Sequence, residues 1–350
     1  MQQRDPFDDV VAPHPPRSRL TRRVRGCSFT VATSVASSTA AFILFGAISK
    51  VPLAGHYAQS DRTSRGAFSP IPTHPDKSIG DPVKVALGRD LFFDRRLSGS
   101  RRLSCATCHD LATNGASRAK ADRDGTGRMT AWNTPTVFNA VYNFRFGWEG
   151  NTRNLRDFTL QTIANRHLMG GTGLATRRLS SDPDMLARFR RVYAAPPSDA
   201  TAADALTAFM ATLVTTNAPF DRWLRGDQNA LNLQQRLGFV RFNVLGCASC
   251  HQGVNIGGNL FQRRGIFHPL GKPKPAYLRV PSLRNVAVTA PYFHDGAVPT
   301  LPEAIRQMAR AQLDLTISDR DARDIAAFLS ALTGEYDGRR LRPAALPPRR

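Results

Sequence analysis

The stretches that decide the fold are "LSCATCHD" at residues 103–110 and "GCASCHQG" at residues 246–253. Each contains Cys-x-x-Cys-His, a spacing at which two thiols can add to the vinyl groups of one haem while the adjacent imidazole ligates its iron. The sequence therefore predicts two covalent c-type haems. The anchoring residues are Cys105, Cys108 and His109 for the first haem, and Cys247, Cys250 and His251 for the second.

Two other interpretations of these cysteines carry less weight. A thioredoxin-type redox pair usually lies at a strand–helix junction in a βαβ context, which the flanking sequence does not indicate. A tetrahedral zinc site would have to combine motifs 142 positions apart, as Cys105 and Cys247 are, without further ligands nearby. The fifth cysteine, Cys27, lies in the leader and is expected to be removed or inert.

Length and composition indicate a folded, two-domain protein. The chain has 350 residues, 41% of them hydrophobic and 21% charged, which argues against a polytopic membrane protein and against a disordered one. Its net charge of +21 permits binding to nucleic acid, anionic lipid or acidic proteins. No nucleic-acid-binding motif accompanies this charge, so we expect no nucleic-acid partner.

The first 55 residues predict a signal peptide or an uncleaved signal anchor. Basic "RSRLTRRVRG" at 17–26 precedes uncharged "CSFTVATSVASSTAAFILFGAI" at 27–48, and small residues follow near Ala54 to Ala58. Both alternatives export the rest of the chain to the periplasm, where attachment of haem c is chemically feasible.

Helical periodicity dominates wherever a period is clear. Leu206, Phe209, Met210 and Leu213 follow a Ser198 cap at helical spacing, and a second helix begins at Ser318 and is expected to end at Gly334. We predict a mainly α fold of two c-type cytochrome domains, each with one covalent haem, joined by long loops. The predicted divisions are 1–55 (leader), 56–200 (first haem domain), 201–335 (second haem domain) and 336–350 (basic disordered tail).

Four further blocks make the chain resemble the bacterial di-haem cytochrome c peroxidases, a family that includes the di-haem enzyme maturing the cofactor of methylamine dehydrogenase. They are "ALGRDLFFDRRLS" (86–98), "NTPTVFNAVYNFRFGWEG" (133–150), "APFDRWLRGD" (218–227) and "VPSLRNVAVTAPYFHDGAVPTLPEAIRQM" (280–308). The resemblance covers about residues 70 to 335 and implies two haems with different roles.

At the second haem, the resemblance implies Met308 as the axial ligand opposite His251. A core methionine sharing a helix face with Ile305 is the alternative for this position. An iron with His and Met ligands has a relatively high potential, which suits electron entry. His294 would then be a residue near the domain interface.

At the first haem, the resemblance implies peroxide binding opposite His109, with a glutamine and a glutamate moving the proton. An ungapped comparison from Trp148 places these two positions on Phe158 and Leu168, both apolar. Gln161 and His167 are the nearby candidates to replace them. Trp148 matches the tryptophan thought to relay electrons between the haems, although a buried structural role is equally compatible.

The resemblance also implies a calcium ion held by the Asn133 side chain and the carbonyl groups of Thr289 and Pro291. A separate calcium-like stretch, "DRDGTG" at 122–127, lacks the glutamate of an EF-hand loop. The loop 110–133 contains no histidine that could close the first haem at rest. That iron is therefore open, or is closed by Met129, His167 or a distant group.

The expected function is reduction of hydrogen peroxide with electrons from a small donor protein, such as a monohaem cytochrome c or a cupredoxin. The resemblance further implies a homodimer. The alternatives are a di-haem oxidase of another substrate and a non-catalytic electron-transfer or sensor cytochrome.

Overall fold

Helices dominate the residues that this computed structural model describes, 66–72, 80–271 and 275–344. The α-helices are α1 Pro82–Phe93, α2 Cys105–Cys108, α3 Leu155–Ala164, α4 Leu174–Ser180, α5 Pro183–Tyr193, α6 Asp199–Ala211, α7 Pro219–Leu224, α8 Leu233–Val244, α9 Leu301–Leu313 and α10 Asp319–Ser330. Two antiparallel pairs supply the strands: β1 Phe261–Arg263 with β2 Tyr277–Arg279, and β3 Glu335–Tyr336 with β4 Arg339–Arg340. The predicted mainly α fold is confirmed.

Both helix starts predicted from serine caps are confirmed. The Ser198 hydroxyl accepts the N–H of Thr201 at the start of α6, and the Ser318 hydroxyl accepts the N–H of Asp321 at the start of α10. α10 ends at Ser330, before the predicted Gly334. It ends early because Asn285 takes up the next backbone groups, donating its N–H to Leu332 O and accepting the N–H of Gly334.

Two large apolar clusters and one small one, formed by Tyr292, Val298 and Ala304, make up the core of the described residues, and each large cluster contains one tightly crossed helix pair. The first lobe packs α1 against α6, and the second lobe packs α8 against α10. A Cβ on Gly88 of α1 would lie 1.9 Å from Ala205 O, and a Cβ on Gly238 of α8 would lie 1.9 Å from Asp324 O. Only glycine allows backbones to approach this closely, so both lobes depend on the same device.

A second shared feature is a buried asparagine whose backbone has the left-handed helical conformation. Asn139 (φ 61°) donates its N–H to Leu213 O and accepts the N–H of Thr215. Asn285 (φ 63°) makes the same two bonds in the second lobe. Each asparagine begins a 3₁₀ turn, Ala140–Tyr142 or Val286–Val288. The lobes are therefore two copies of one construction.

Each end of the described chain packs in the lobe that is farther from it in sequence. Phe68 packs in the second cluster, whereas Leu341 is buried in the first. α6 also packs in the first cluster, although the predicted boundary at 200/201 would cut it. The division into residues 56–200 and 201–335 stays a prediction, and the packing favours a first domain that includes α6.

The segment predicted as a disordered tail is folded as far as residue 344. β3 pairs with β4, Thr216 and Glu335 exchange two backbone hydrogen bonds, and Leu341 is buried. The prediction for 336–344 was wrong because the basic, Pro-rich composition of this segment gives no sign that Leu341 is buried. Residues 345–350 and the predicted leader lie outside the described residues. Within the described ranges, every helix is too short or too polar to cross a bilayer.

Candidate haem sites

The first motif is a single helical turn. Ser104 N–H donates to Thr107 Oγ1 (2.9 Å) at its start, and the N–H of His109 donates to Cys105 O (3.0 Å) at its end. Cys105 and Cys108 therefore lie at opposite ends of α2, and the imidazole follows at once. The turn provides both thiols and the proximal nitrogen within five residues.

One backbone carbonyl orients His109. Its Nδ1–H donates to Gly115 O at 3.0 Å, which leaves Nε2 as the nitrogen that can ligate an iron. Burial lowers the pKa of His109, opposed by the carbonyls of Gly115 and Pro135 and by the charge of Asp122. The imidazole is therefore neutral at pH 7, as an iron ligand must be.

The second motif begins with the 3₁₀ turn Cys247–Ser249, and His251 after it is 9% exposed. Burial lowers the pKa of His251 to about 4, opposed by the carbonyls of Ile256 and Pro281. A Cβ on Gly257 would lie 2.1 Å from Pro281 O and 3.3 Å from His251 Nδ1. Glycine at this position lets the loop pass close to the imidazole.

The thiols have the wrong electrostatics for a redox pair. Burial raises the pKa of Cys105 and of Cys108 to about 12 and that of Cys247 to about 11, whereas catalytic Cys-x-x-Cys pairs have lowered values. All four motif cysteines are free thiols. Within the described ranges, no group of three or more His, Cys, Asp or Glu residues could hold a metal ion. Free thiols beside neutral imidazoles fit thioether-linked haem.

Met308 lies on α9, whose C-terminal end approaches the second motif. A Cβ on Gly246 would lie 3.8 Å from Leu313 at the end of this helix. Ile305 packs against the second cluster, whereas half-buried Met308 is absent from both clusters among the described residues. This separation is compatible with Met308 as an axial ligand, which stays a prediction.

The side chains of both candidate proton-transfer residues are exposed to space that no other protein residue fills. Gln161 is exposed, and its Oε1 accepts from Thr152 Oγ1 at 3.1 Å. The His167 side chain is 57% exposed, and its Nδ1 lies 4.0 Å from Asp124 Oδ2. No hydrogen bond joins Gln161 to His167 within the described ranges, so the structure does not bring these residues together.

The two lobes meet through a reciprocal exchange of backbone hydrogen bonds. Asn133 N donates to His294 O (2.8 Å), and Arg279 N donates to Trp148 O (3.0 Å). The Trp148 and His294 rings touch edge to face, with centroids 6.2 Å apart. Trp148 also donates from Nε1 to Asn133 O at 2.9 Å. The predicted relay tryptophan therefore lies in the seam between the lobes.

Asn133 lies in the same seam as the 289–294 loop. Its Nδ2 donates to Ala119 O (2.8 Å), which turns Oδ1 to the other side of the amide. Within the described ranges, Asn133 Oδ1 and the carbonyl oxygens of Thr289 and Pro291 accept no hydrogen bond. Three uncommitted oxygens are compatible with the expected calcium ligands.

Comparison with known proteins identifies the family. A family model described as di-haem cytochrome c peroxidase matches residues 82–229. The cytochrome c551 peroxidase of Pseudomonas aeruginosa is 37% identical over 311 residues, which cover 81% of this chain and 89% of that protein. The chain belongs to the di-haem cytochrome c peroxidase family.

Two further similarities are consistent with membership of this family. The cytochrome c peroxidase Ccp of Escherichia coli is 37% identical over 307 residues, but the match spans 65% of that protein's length and 81% of this chain. A MauG-like protein associated with microbial copper homeostasis has the same fold, with a TM-score of 0.66 at 24% identity, covering 76% of this chain and 93% of that one. Membership of this family implies haem c, which the thiols and imidazoles fit.

The residues that position the two imidazoles and their loops were not predicted from the sequence. Gly115 holds His109, Gly257 makes room beside His251, and the Asn139/Asn285 pair fixes both loops. The repeated "PTVFN" (135–139) and "PSLRN" (281–285) were a visible signal for the asparagine pair.

Proposed function

We propose that this chain is an exported di-haem peroxidase that reduces hydrogen peroxide to water. The observation that carries the proposal is an asymmetry between two equivalent lobes. α9 of the second lobe carries Met308, which would be the axial ligand opposite His251, whereas α3 of the first lobe, Leu155–Ala164, contains no Met, His or Cys. One iron would thus be closed and the other accessible.

The balanced reaction consumes two electrons and two protons for each peroxide. The O–O bond breaks, a one-electron donor protein is oxidised twice, and two water molecules form. When bound, haem supplies the redox centre and an open coordination position for this chemistry. The protein holds the two imidazoles neutral, aligns His109 through Gly115, and places Trp148 in the seam between the lobes.

Trp148 is proposed to carry electrons between the lobes. Its ring touches His294, and its backbone and indole are both fixed by hydrogen bonds across or beside the seam. Trp132 is a matched control, because its ring also contacts His294, at 5.0 Å. We expect Trp148→Phe to slow electron transfer between the haems more than Trp132→Phe does.

The primary test is stopped-flow absorbance of the half-reduced holoprotein mixed with stoichiometric peroxide, followed by reduced monohaem cytochrome c. Rapid peroxide consumption with two donor molecules oxidised per peroxide supports the proposal. An intact spectrum without peroxide consumption would instead support the electron-transfer alternative. That alternative is favoured by Phe158 and Leu168, two apolar residues at the positions where the resemblance implies the glutamine and the glutamate.

The donor is proposed to be acidic, since the chain carries a net charge of +21. A monohaem cytochrome c and a cupredoxin are the two donor types to compare. We expect the oxidation rate of either donor to fall as ionic strength rises. A homodimer and periplasmic export complete the proposal, and light scattering and cell fractionation test them.

We also propose calcium at Asn133, Thr289 and Pro291. The three oxygens are uncommitted, and oxygen atoms from side-chain amides and carbonyls are the ligands that calcium prefers. Elemental analysis of the holoprotein should find one calcium per chain, and Asn133→Ala should lose it. Retention of calcium by that variant would contradict this site.

A further inference from the structure

The repeat between the lobes identifies a counterpart for Met308. The loop residues 139 and 285, the bridge pairs 146–152 and 292–298, and the helix caps 154 and 300 all correspond with the same separation of 146 positions. No insertion interrupts this register, and α3 and α9 begin at matching residues, Leu155 and Leu301. The counterpart of Met308 is therefore Thr162.

Burial of the two helices agrees at the position next to Met308. Thr159 and Ile163 of α3 are buried, as is Ala309, the counterpart of Ile163. Thr162 and Met308, which precede Ile163 and Ala309, are both half-buried. Thr162 thus has the relation to the first lobe that Met308 has to the second.

The hydrogen bond of Thr162 defines what this hydroxyl can still do. Its Oγ1–H donates to Phe158 O at 2.8 Å, which uses the one proton that a hydroxyl can donate. Its two lone pairs remain, so the hydroxyl can accept a hydrogen bond from an incoming O–H group. A hydroxyl is also a far weaker iron ligand than the thioether of methionine.

We propose that Thr162 faces the distal side of the first haem and accepts a hydrogen bond from the O–H of hydrogen peroxide held there. This inference rests on the proposed peroxidase function and names a substrate-contacting residue for it. It also accounts for an open site in a lobe otherwise built like its closed partner. The ligand class favoured is a neutral molecule with an O–H group, such as peroxide or water.

The position of Thr162 is tested without any turnover. In Thr162→Met holoprotein, the added thioether should ligate the first iron and produce a second low-spin centre with the methionine–iron absorption band. Cyanide binding at the first haem should be lost. An unchanged spin state together with unchanged cyanide binding would overturn the placement.

The role of the hydroxyl is tested with Thr162→Val and Thr162→Ser. We expect about a tenfold slower reaction with peroxide in the valine variant, equivalent to one hydrogen bond of about 1.4 kcal/mol, and near-parental reaction in the serine variant. Cyanide, an anion without a proton to donate, should bind the valine variant with parental affinity. Parental peroxide kinetics in Thr162→Val would overturn the assignment.

Thr159→Val is the matched control. Thr159 lies on the same helix and also donates to a backbone carbonyl, Leu155 O at 2.7 Å, but it is buried in the core. Its valine variant should keep parental peroxide kinetics and cyanide affinity. If the parental protein does not react with peroxide, the proposed function fails, while the Thr162→Met spectrum still decides where Thr162 lies.

Discussion

The two lobes are built alike but end in different chemistry. Gly88 and Gly238 make the same close helix crossing, and Asn139 and Asn285 make the same pair of backbone hydrogen bonds. At the position proposed to face the haem, the first lobe has Thr162 and the second has Met308. The same backbone construction can therefore carry different side chains at equivalent positions, as the proposed electron-entry and substrate sites require.

The seam follows the same rule. Each lobe donates one backbone N–H to the loop of the other, from Asn133 to His294 and from Arg279 to Trp148. The backbone pattern is symmetric, while the side chains at equivalent positions, Trp148 and His294, are not. Backbone geometry therefore preserves the docking of the lobes and leaves side chains free to specialise.

The largest expected effect comes from breaking the helix crossings. Gly88→Ala or Gly238→Ala would drive a methyl group into a backbone oxygen, because a Cβ at either position would lie 1.9 Å from that oxygen. We expect each change to lower the free energy of unfolding by at least about 3 kcal/mol. Thermal and denaturant unfolding of the holoprotein provide the measurement.

The control for the crossings is Ala86→Ser on the exposed side of α1, which should cost less than about 0.5 kcal/mol. A loss below about 1 kcal/mol in both glycine variants would contradict the shared crossing. A large loss of unfolding free energy in only one glycine variant would show that one helix pair can move apart at lower cost than the other.

Met308→Leu tests the difference between the two sites. Removing the thioether should lower the potential of the second haem by roughly 0.1–0.3 V, because axial ligands set haem potentials over a wide range. Spectroelectrochemical titration measures this change, and Ile305→Leu in the cluster beside it is the control. An unchanged potential in Met308→Leu would remove Met308 from the ligand set.

Substitutions of Asn139 and Asn285 test the structural similarity of the two lobes. Asn139→Ala would leave the N–H of Thr215 without its acceptor and put alanine at a φ of 61°, and Asn285→Ala would do the same to Gly334. Each should cost about 2–3 kcal/mol of unfolding free energy. Unequal losses would show that the matching geometry conceals unequal roles.

Glycine variants at these positions separate the two causes. Asn139→Gly and Asn285→Gly remove the backbone strain but do not restore the missing acceptor, so they should recover about 1 kcal/mol relative to alanine. Asn229→Ala, on an exposed loop, is the control and should be nearly neutral.

The smallest expected effect concerns Asp204, which links α6 to α1 and α5. Burial opposes its charge, but hydrogen bonds from Lys84 and Tyr193 outweigh this and hold the pKa of Asp204 below 3.8. Because the folded pKa is the lower one, the stabilisation is present above pH 3.8 and disappears as pH falls through the folded value. Asp204→Asn should cost less than about 1 kcal/mol at pH 7.

Acid unfolding curves test this sign. The difference between Asp204→Asn and the parent protein should shrink toward zero as pH falls below 3.8. A Lys84→Met variant combined with Asp204→Asn closes a double-mutant cycle for the pair. A difference that grows in acid would contradict the assignment.

Local sequence signals were reliable where one residue fixes a local geometry. The caps at Ser198 and Ser318 predicted both helix starts, and the two Cys-x-x-Cys-His motifs predicted where thiols and imidazoles lie together. The prediction of a disordered tail was wrong because Leu341 is buried in the first apolar cluster, whose other residues lie far away in sequence. Gln161 and His167 were chosen for proximity in sequence, and their role at the first haem stays a prediction.

The sequence by itself determined the haem anchors, the helical class and the family resemblance, because these depend on residue type at fixed short spacing. Only the tertiary structure decided which residues share a seam, that the first lobe includes α6, and that Thr162 corresponds to Met308. Those facts depend on backbone contacts between segments far apart in the chain. Such contacts arise only when both lobes bury their apolar faces and satisfy their backbone polar groups together.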